Sequence, residues 1–178
     1  ADLIDLFNYA PDIKLSESFL WDFSDKLDWN FICCYQKLSE SFMRKFADKL
    51  NWYTISIYQE LSESFIRDFE SKLHWGAMCQ TQVLSEDLIR KHIKQADFGD
   101  LSQCQELSED FIFEFINKLN LPLISRYQKI SIEFIRDNWK EFRNHFSFIL
   151  KNKHIKKDKA FFLMFRGMVK DNIPLDLN

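Results

Sequence analysis

Leu-Ser-Glu recurs at Leu15, Leu38, Leu61, Leu84 and Leu107, and Ile130-Ser131 continues the series, always at an interval of 23 residues. Self-similarity at a fixed period of this size marks stacked supersecondary units, each too small to bury its own apolar face and stable only against its neighbours. The repeat predicts an all-α fold, an α-solenoid of short helical hairpins closed by a C-terminal capping helix.

In the first unit, Leu15 to Lys37, the apolar residues Phe19, Leu20, Phe23 and Leu27 fall on one face of a helix, helix A of the repeat. Ser16 and its equivalents Ser39, Ser62, Ser85, Ser108 and Ser131 stand just before that run, where a hydroxyl can accept from an orphan N–H of the first turn. Leu15 and Leu20 hold the two positions of a hydrophobic staple, and Glu17 lies at the positive end of the helix dipole. A second run, Trp29, Ile32, Cys33 and Gln36, forms helix B, capped by Asp28, with Asn51, His74, Asp97 and Asn120 at the same place in later units. Helices of roughly ten and eight residues joined by two-residue turns would fill the repeat, giving hairpins about 15 Å long.

The whole chain reads as one repeat domain. Residues 1–14 would be an N-terminal half-repeat, with Ile4, Leu6 and Tyr9 as a lone helix B. Residues 15–152 would form six hairpins, the last degenerate because the Asp-Trp turn is lost and Asn138 to Lys151 read as continued helix. Residues 153–178 would hold the capping helix, at about 156–171, and a tail. Unit four departs furthest from the pattern, with His92 for phenylalanine, Ala96 for leucine and Gly99 opening helix B, and a bend is expected there.

Composition narrows the class. Three Gly, three Pro and 19 Phe suit short-turned helices with an aromatic core. Residues 151–178 carry seven Lys and Arg against three Asp, while residues 1–150 carry 17 against 24 acidic groups. An acidic array with a basic tail is not the footprint of a nucleic-acid protein. No apolar run approaches the length of a membrane span, and the start lacks the basic segment of a signal peptide. Cys33, Cys34, Cys79 and Cys104 form no CxxC pair. These features predict reduced thiols in a cytoplasmic protein without membrane contact.

The consensus Leu-Ser-Glu-x-Phe-Ile-Arg-Asp-Phe-x-x-Lys-Leu-x-Trp, best seen in LSESFIRDFESKLHW at residues 61–75, resembles the tandem repeats of uncharacterised proteins from large DNA viruses and phages. The likeness covers roughly residues 15–137. It implies a viral source, residence in the host-cell cytoplasm and a role in binding a host protein.

Candidate sites follow from what breaks the repeat and what it conserves within itself. Gln36, Gln59, Gln82, Gln105 and Gln128 recur on the core side of helix B, either bonding backbone at the turn into the next unit or presenting an amide row to a ligand. Arg44, Arg67, Arg90 and Arg136 line the outer face of helix A. They could grip phosphate together with Lys153, Lys156 and Lys157, or pair with Glu40, Glu63 and Glu86 one turn earlier. Trp21 and Phe113 take the arginine position in their units, as interface anchors or as packing against the neighbouring unit. On helix B the positions that vary are Phe31, Tyr53, Thr54, Ile57, Gln80, Gln103 and Arg126, with Asn30, Cys34, Gly76, Gly99 and Pro122 beside them. Variation there fits a partner-binding face. His74, His92, His145 and His154 lack ligand spacing, and no catalytic pair is positioned. The expectation is a monomeric, non-enzymatic scaffold without cofactor or metal that binds a protein; the alternative is a nucleic-acid or nucleotide binder.

Overall fold

A computed structural model of the chain describes residues 12–166, all helix, turn or coil and without a strand among them. The half-repeat expected at residues 4–10 and the tail beyond 166 lie outside the described residues. The chain divides into two compact units, Ala1–Ala96 and Asp97–Asn178. The division falls at Ala96, where the degenerate fourth repeat lacks the buried leucine.

In the N-terminal unit α1 (Glu17–Asp22), α3 (Glu40–Lys45), α5 (Glu63–Asp68) and α7 (Glu86–Lys91) are the A helices. The B helices are α2 (Trp29–Tyr35), α4 (Trp52–Tyr58) and α6 (Trp75–Thr81), packed side by side. In the C-terminal unit α8 (Phe98–Cys104) and α10 (Leu121–Tyr127) are B helices, and α9 (Glu109–Glu114) and α11 (Ile132–Asp137) are A helices. Both units are thus stacks of 23-residue helical hairpins, the α-solenoid class of repeat. The described part of the unit continues through α12 (Trp139–Phe142), a 3-10 turn (Arg143–His145), α13 (Phe146–Lys151) and α14 (Lys159–Phe165).

Capping works as the sequence predicts. Each of Ser16, Ser39, Ser62, Ser85, Ser108 and Ser131 accepts from the backbone N–H three residues on. Asp28, Asn51, His74, Asp97 and Asn120 do the same for the B helices, His74 through Nδ1. A hydroxyl can also donate, and Ser62 donates to Glu40 Oε2 at 3.0 Å while its backbone N–H donates to Glu40 Oε1 at 2.7 Å. Glu17 holds Ser39 in the same way, and Glu109 accepts from the Ser131 N–H. The first-turn glutamate therefore fastens one hairpin to the cap of the next.

The helices are shorter than expected, six residues for A and seven for B. Helix A tightens at its end into three-residue bonds, with Lys26 N–H donating to Phe23 O at 2.8 Å and Lys49 to Phe46 O at 2.8 Å. An orphan carbonyl in that turn is taken by the tryptophan opening helix B. The indole N–H of Trp29 donates to Ser24 O, that of Trp52 to Ala47 O and that of Trp75 to Glu70 O, each at 3.0 Å.

The glutamine ladder is structural, and its partners lie at the junction with the preceding hairpin rather than the next. Gln59 Nε2 donates to Cys33 O at 2.9 Å and Gln36 O at 2.8 Å, and Gln82 Nε2 donates to Ser56 O at 3.3 Å and Gln59 O at 2.7 Å. Gln128 repeats this on Ser102 O and Gln105 O. Carbonyls at the end of each B helix would otherwise be orphans. Asn152, fully buried, closes the ladder on Ser125 O and Gln128 O, both at 2.9 Å.

Residues 138–151 are not one continued helix. They break at Asn138, whose side chain donates to Phe134 O at 2.9 Å, and again at the 3-10 turn. The loss of the regular hairpin turn leaves a trace: Ser56 and Ser102 each accept from the backbone N–H of the next B cap, at 2.9 Å. Ser125, lacking that cap, has the buried side-chain oxygen without a partner among the described residues. Helix α14 starts at Lys159, three residues later than expected, on Asp158, which accepts from Ala160 and Phe161 N–H. Its Phe161 and Phe165 pack on Phe146, and Phe165 on Trp139, so it caps the stack.

Unit four keeps its packing by substitution. His92 takes the phenylalanine place and stacks on Trp75 with ring centres 3.6 Å apart and planes 4° from parallel. Its Nε2 lies 3.3 Å from Glu70, which Lys91 also grips at 2.7 Å.

Candidate functional site

The two helix rows of the N-terminal unit differ sharply in charge. Half the residues of α1, α3, α5 and α7 are Asp, Glu, Lys or Arg; α2, α4 and α6 contain none. Yet the outward side of the B row is rich in rings. Tyr53 is 56% exposed, Tyr58 58% and Tyr35 46%. Phe31 packs against Tyr35 with the rings tilted and their centres 4.6 Å apart, and Tyr53 meets His74 edge-on at 5.0 Å. Half-buried Ile57 and Cys34 lie in the same row. The neighbouring Cys34, chiefly by electrostatic repulsion, raises the Tyr58 phenol pKa above its ordinary value. Charges stand at the ends of the helices: Asp28 caps α2, Lys14 Nζ donates to Tyr35 O, and Lys37 pairs with Glu60 at 3.4 Å.

This row gathers five of the expected partner-binding residues, Phe31, Tyr53, Thr54, Ile57 and Gln80, of which Tyr53 and Gln80 are exposed. Trp21 belongs to the other row. Gln103, Arg126 and Phe113 belong to the C-terminal unit, all three exposed, with Arg126 over the Tyr127 ring at 5.4 Å. Tyr35 and Tyr58 were not among the expected site residues. The tyrosine recurring at that place reads as the edge of a helix face, and the missed signal is the exclusion of charge from three consecutive B helices.

Trp21 and Phe113, equivalent by sequence, differ in their surroundings. Trp21 is 49% exposed but meets Phe46 edge-on at 5.1 Å and carries Lys45 Nζ over its ring at 5.4 Å. Phe113 is 62% exposed, with no ring or cation against it among the described residues.

The arginine row is occupied by carboxylates. Arg67 pairs with Glu63, and Arg90 with Glu86 at 3.4 Å, as one-turn spacing predicts. Arg44 does not pair with Glu40, whose oxygens are taken by Ser62. It reaches across to Asp68 at 2.7 Å instead, with its guanidinium over Phe65 and Phe69. Arg136 bonds Asp137 at 2.8 Å, which lowers the Asp137 pKa. Lys156 pairs with Asp158 at 3.2 Å, Lys157 donates to Asn152 O, and Lys153 is exposed.

All four cysteines are free thiols. Burial pushes Cys33 up to about 11. Among the described residues no group of three His, Cys, Asp or Glu could hold a metal ion, and no helix is long and apolar enough to cross a membrane. No protein-family model, curated protein or solved structure matches the chain. The class is therefore defined by the fold alone, a helical repeat protein.

Proposed function

We propose that this chain is a non-catalytic helical-repeat module that binds another protein through the B-helix face of its N-terminal unit. The observation that carries the reading is the charge-free row of α2, α4 and α6 with Tyr35, Tyr53 and Tyr58 exposed on it. Depletion of charge at the centre, enrichment in tyrosine and a charged rim are how protein interfaces differ from ordinary surface. A nucleic-acid reading has less support, because each arginine of the ladder already faces a carboxylate and phosphate would have to displace it. The resemblance to viral repeats directs the search for the partner to a host cell.

A photo-crosslinking residue placed at Tyr58, with controls at Lys94 and Lys153, tests the proposal in cell lysate. A discrete protein adduct formed only from position 58 is the expected result. Equal labelling from all three positions, or adducts with nucleic acid from position 153 alone, would refute it.

A further inference from the structure

A face built without charge selects its occupant by what it cannot repay. A charged side chain buried against α2, α4 and α6 would find no opposite charge on any of the three helices, and an unpaired buried charge is strongly unfavourable. The polar groups it could meet are phenols, amides and hydroxyls: Tyr35, Tyr53 and Tyr58 with Asn30, Thr54 and Gln80. Countercharge is confined to the rim, where Lys14 and the exposed Lys37–Glu60 pair stand at the C-terminal ends of α2 and α4.

Resting on the reading that this face binds protein, we infer that its occupant is a partner polypeptide segment free of Asp, Glu, Lys and Arg over the stretch it buries, aliphatic or aromatic where it meets the tyrosines. Charge complementarity carries the inference. The A helices of the same unit, by contrast, carry charged residues in every case, so neutrality is particular to this face. Helices packed side by side stand about 8–10 Å apart. Three of them therefore offer roughly 16–20 Å, the reach of about six residues of extended chain at ~3.3 Å each. Short peptides are long enough to report the preference. Tyrosine rings give area at low entropic cost, and their hydroxyls can bond the backbone of such a segment.

Panning a phage library of random 12-residue peptides against the intact protein tests this, with counter-selection on the Tyr53→Lys/Tyr58→Lys variant. Both rings are more than half exposed, so the variant should keep its circular dichroism spectrum and remain folded at the panning temperature. The expected result is enrichment of peptides with an uncharged core of about six residues, each losing tenfold or more in affinity on the variant. Enriched peptides with charged cores that still depend on the tyrosines would overturn the neutral-segment inference and leave the docking face standing. Binders indifferent to the substitution, or no enrichment, would overturn the inference and count against the face. A wild-type dimer in light scattering that the variant breaks would show that a second copy is the occupant and sink the proposal.

Discussion

The side-chain oxygen of Gln59 accepts from the backbone N–H of Leu38 at 3.0 Å, although 21 residues separate them. With Cys33 O and Gln36 O taking the two amide protons, one side chain satisfies the first backbone donor of its own hairpin and two end carbonyls of the preceding one.

Gln59→Leu should therefore be among the most damaging conservative-volume changes in the N-terminal unit. Each buried backbone group left without a partner costs about 1–3 kcal/mol, so a loss of at least ~3 kcal/mol is expected in a urea titration. A loss below ~1 kcal/mol would mean that water reaches the junction.

Phe65 is fully buried and Ser62 is an exposed cap. Phe65→Ala should cost about 3–5 kcal/mol as a large core truncation, and Ser62→Ala about 0.5–2 kcal/mol. Denaturant midpoints that rank the two in the opposite order would contradict the burial.

Trp21→Arg and Phe113→Arg, both restoring the arginine of sibling repeats, should part company. Trp21→Arg forfeits the Phe46 and Lys45 contacts and should lower the melting temperature. Phe113→Arg should stay within about 0.5 kcal/mol, as exposed substitutions do. Equal melting shifts in calorimetry would show that the difference in surroundings has no energetic weight.

Acid should loosen the ion pairs in a direction fixed by their shifts. Asp25 is held low by hydrogen bonding to Lys49, Glu70 by Lys91 and His92, and Asp158 by the Phe161 N–H and Lys156. A depressed folded-state pKa gives stability that is present above the unfolded value and lost as pH falls through the folded one. Melting temperature should accordingly hold from pH 7 to about 5 and decline below about 4. A rise in melting temperature below pH 4 would contradict these pairings.

Thiol chemistry separates the four cysteines. Cys104 is exposed while Cys33 and Cys79 are buried, and only thiolate reacts. Cys104 should be labelled first by a disulfide reagent, and Cys33 and Cys79 only on unfolding. Rapid labelling of all four in the folded protein would disprove the buried positions.

Period, caps and hairpin order were legible because they are local: Ser39 must cap the helix that follows it, whatever lies beyond. The fate of the longer polar side chains was not. On an isolated helix Glu40 belongs with Arg44, yet the hairpin supplies Ser62 at 2.7 Å, a backbone donor and a hydroxyl together, and the intrahelical pair is worth only ~0.2–0.5 kcal/mol. Asn152 escaped because it stands one residue out of register with the glutamines and has a shorter side chain. The tyrosine face escaped because its defining property, absent charge, appears only when three helices 23 residues apart are set side by side.

The glutamine ladder also dictates how such a chain can change length. Its bonds join groups at fixed separations of 21, 23 and 26 residues in repeat after repeat. Excising residues 38–60 would hand Gln82 the carbonyls of Cys33 and Gln36 in place of those of Ser56 and Gln59, with the same chemistry. Removing a number of residues that is not a multiple of 23 would strand an amide and its carbonyls. Duplication and loss in whole steps of 23 are thus the inheritance this fold allows, and a related array should differ in how many steps it has climbed while keeping the height of each.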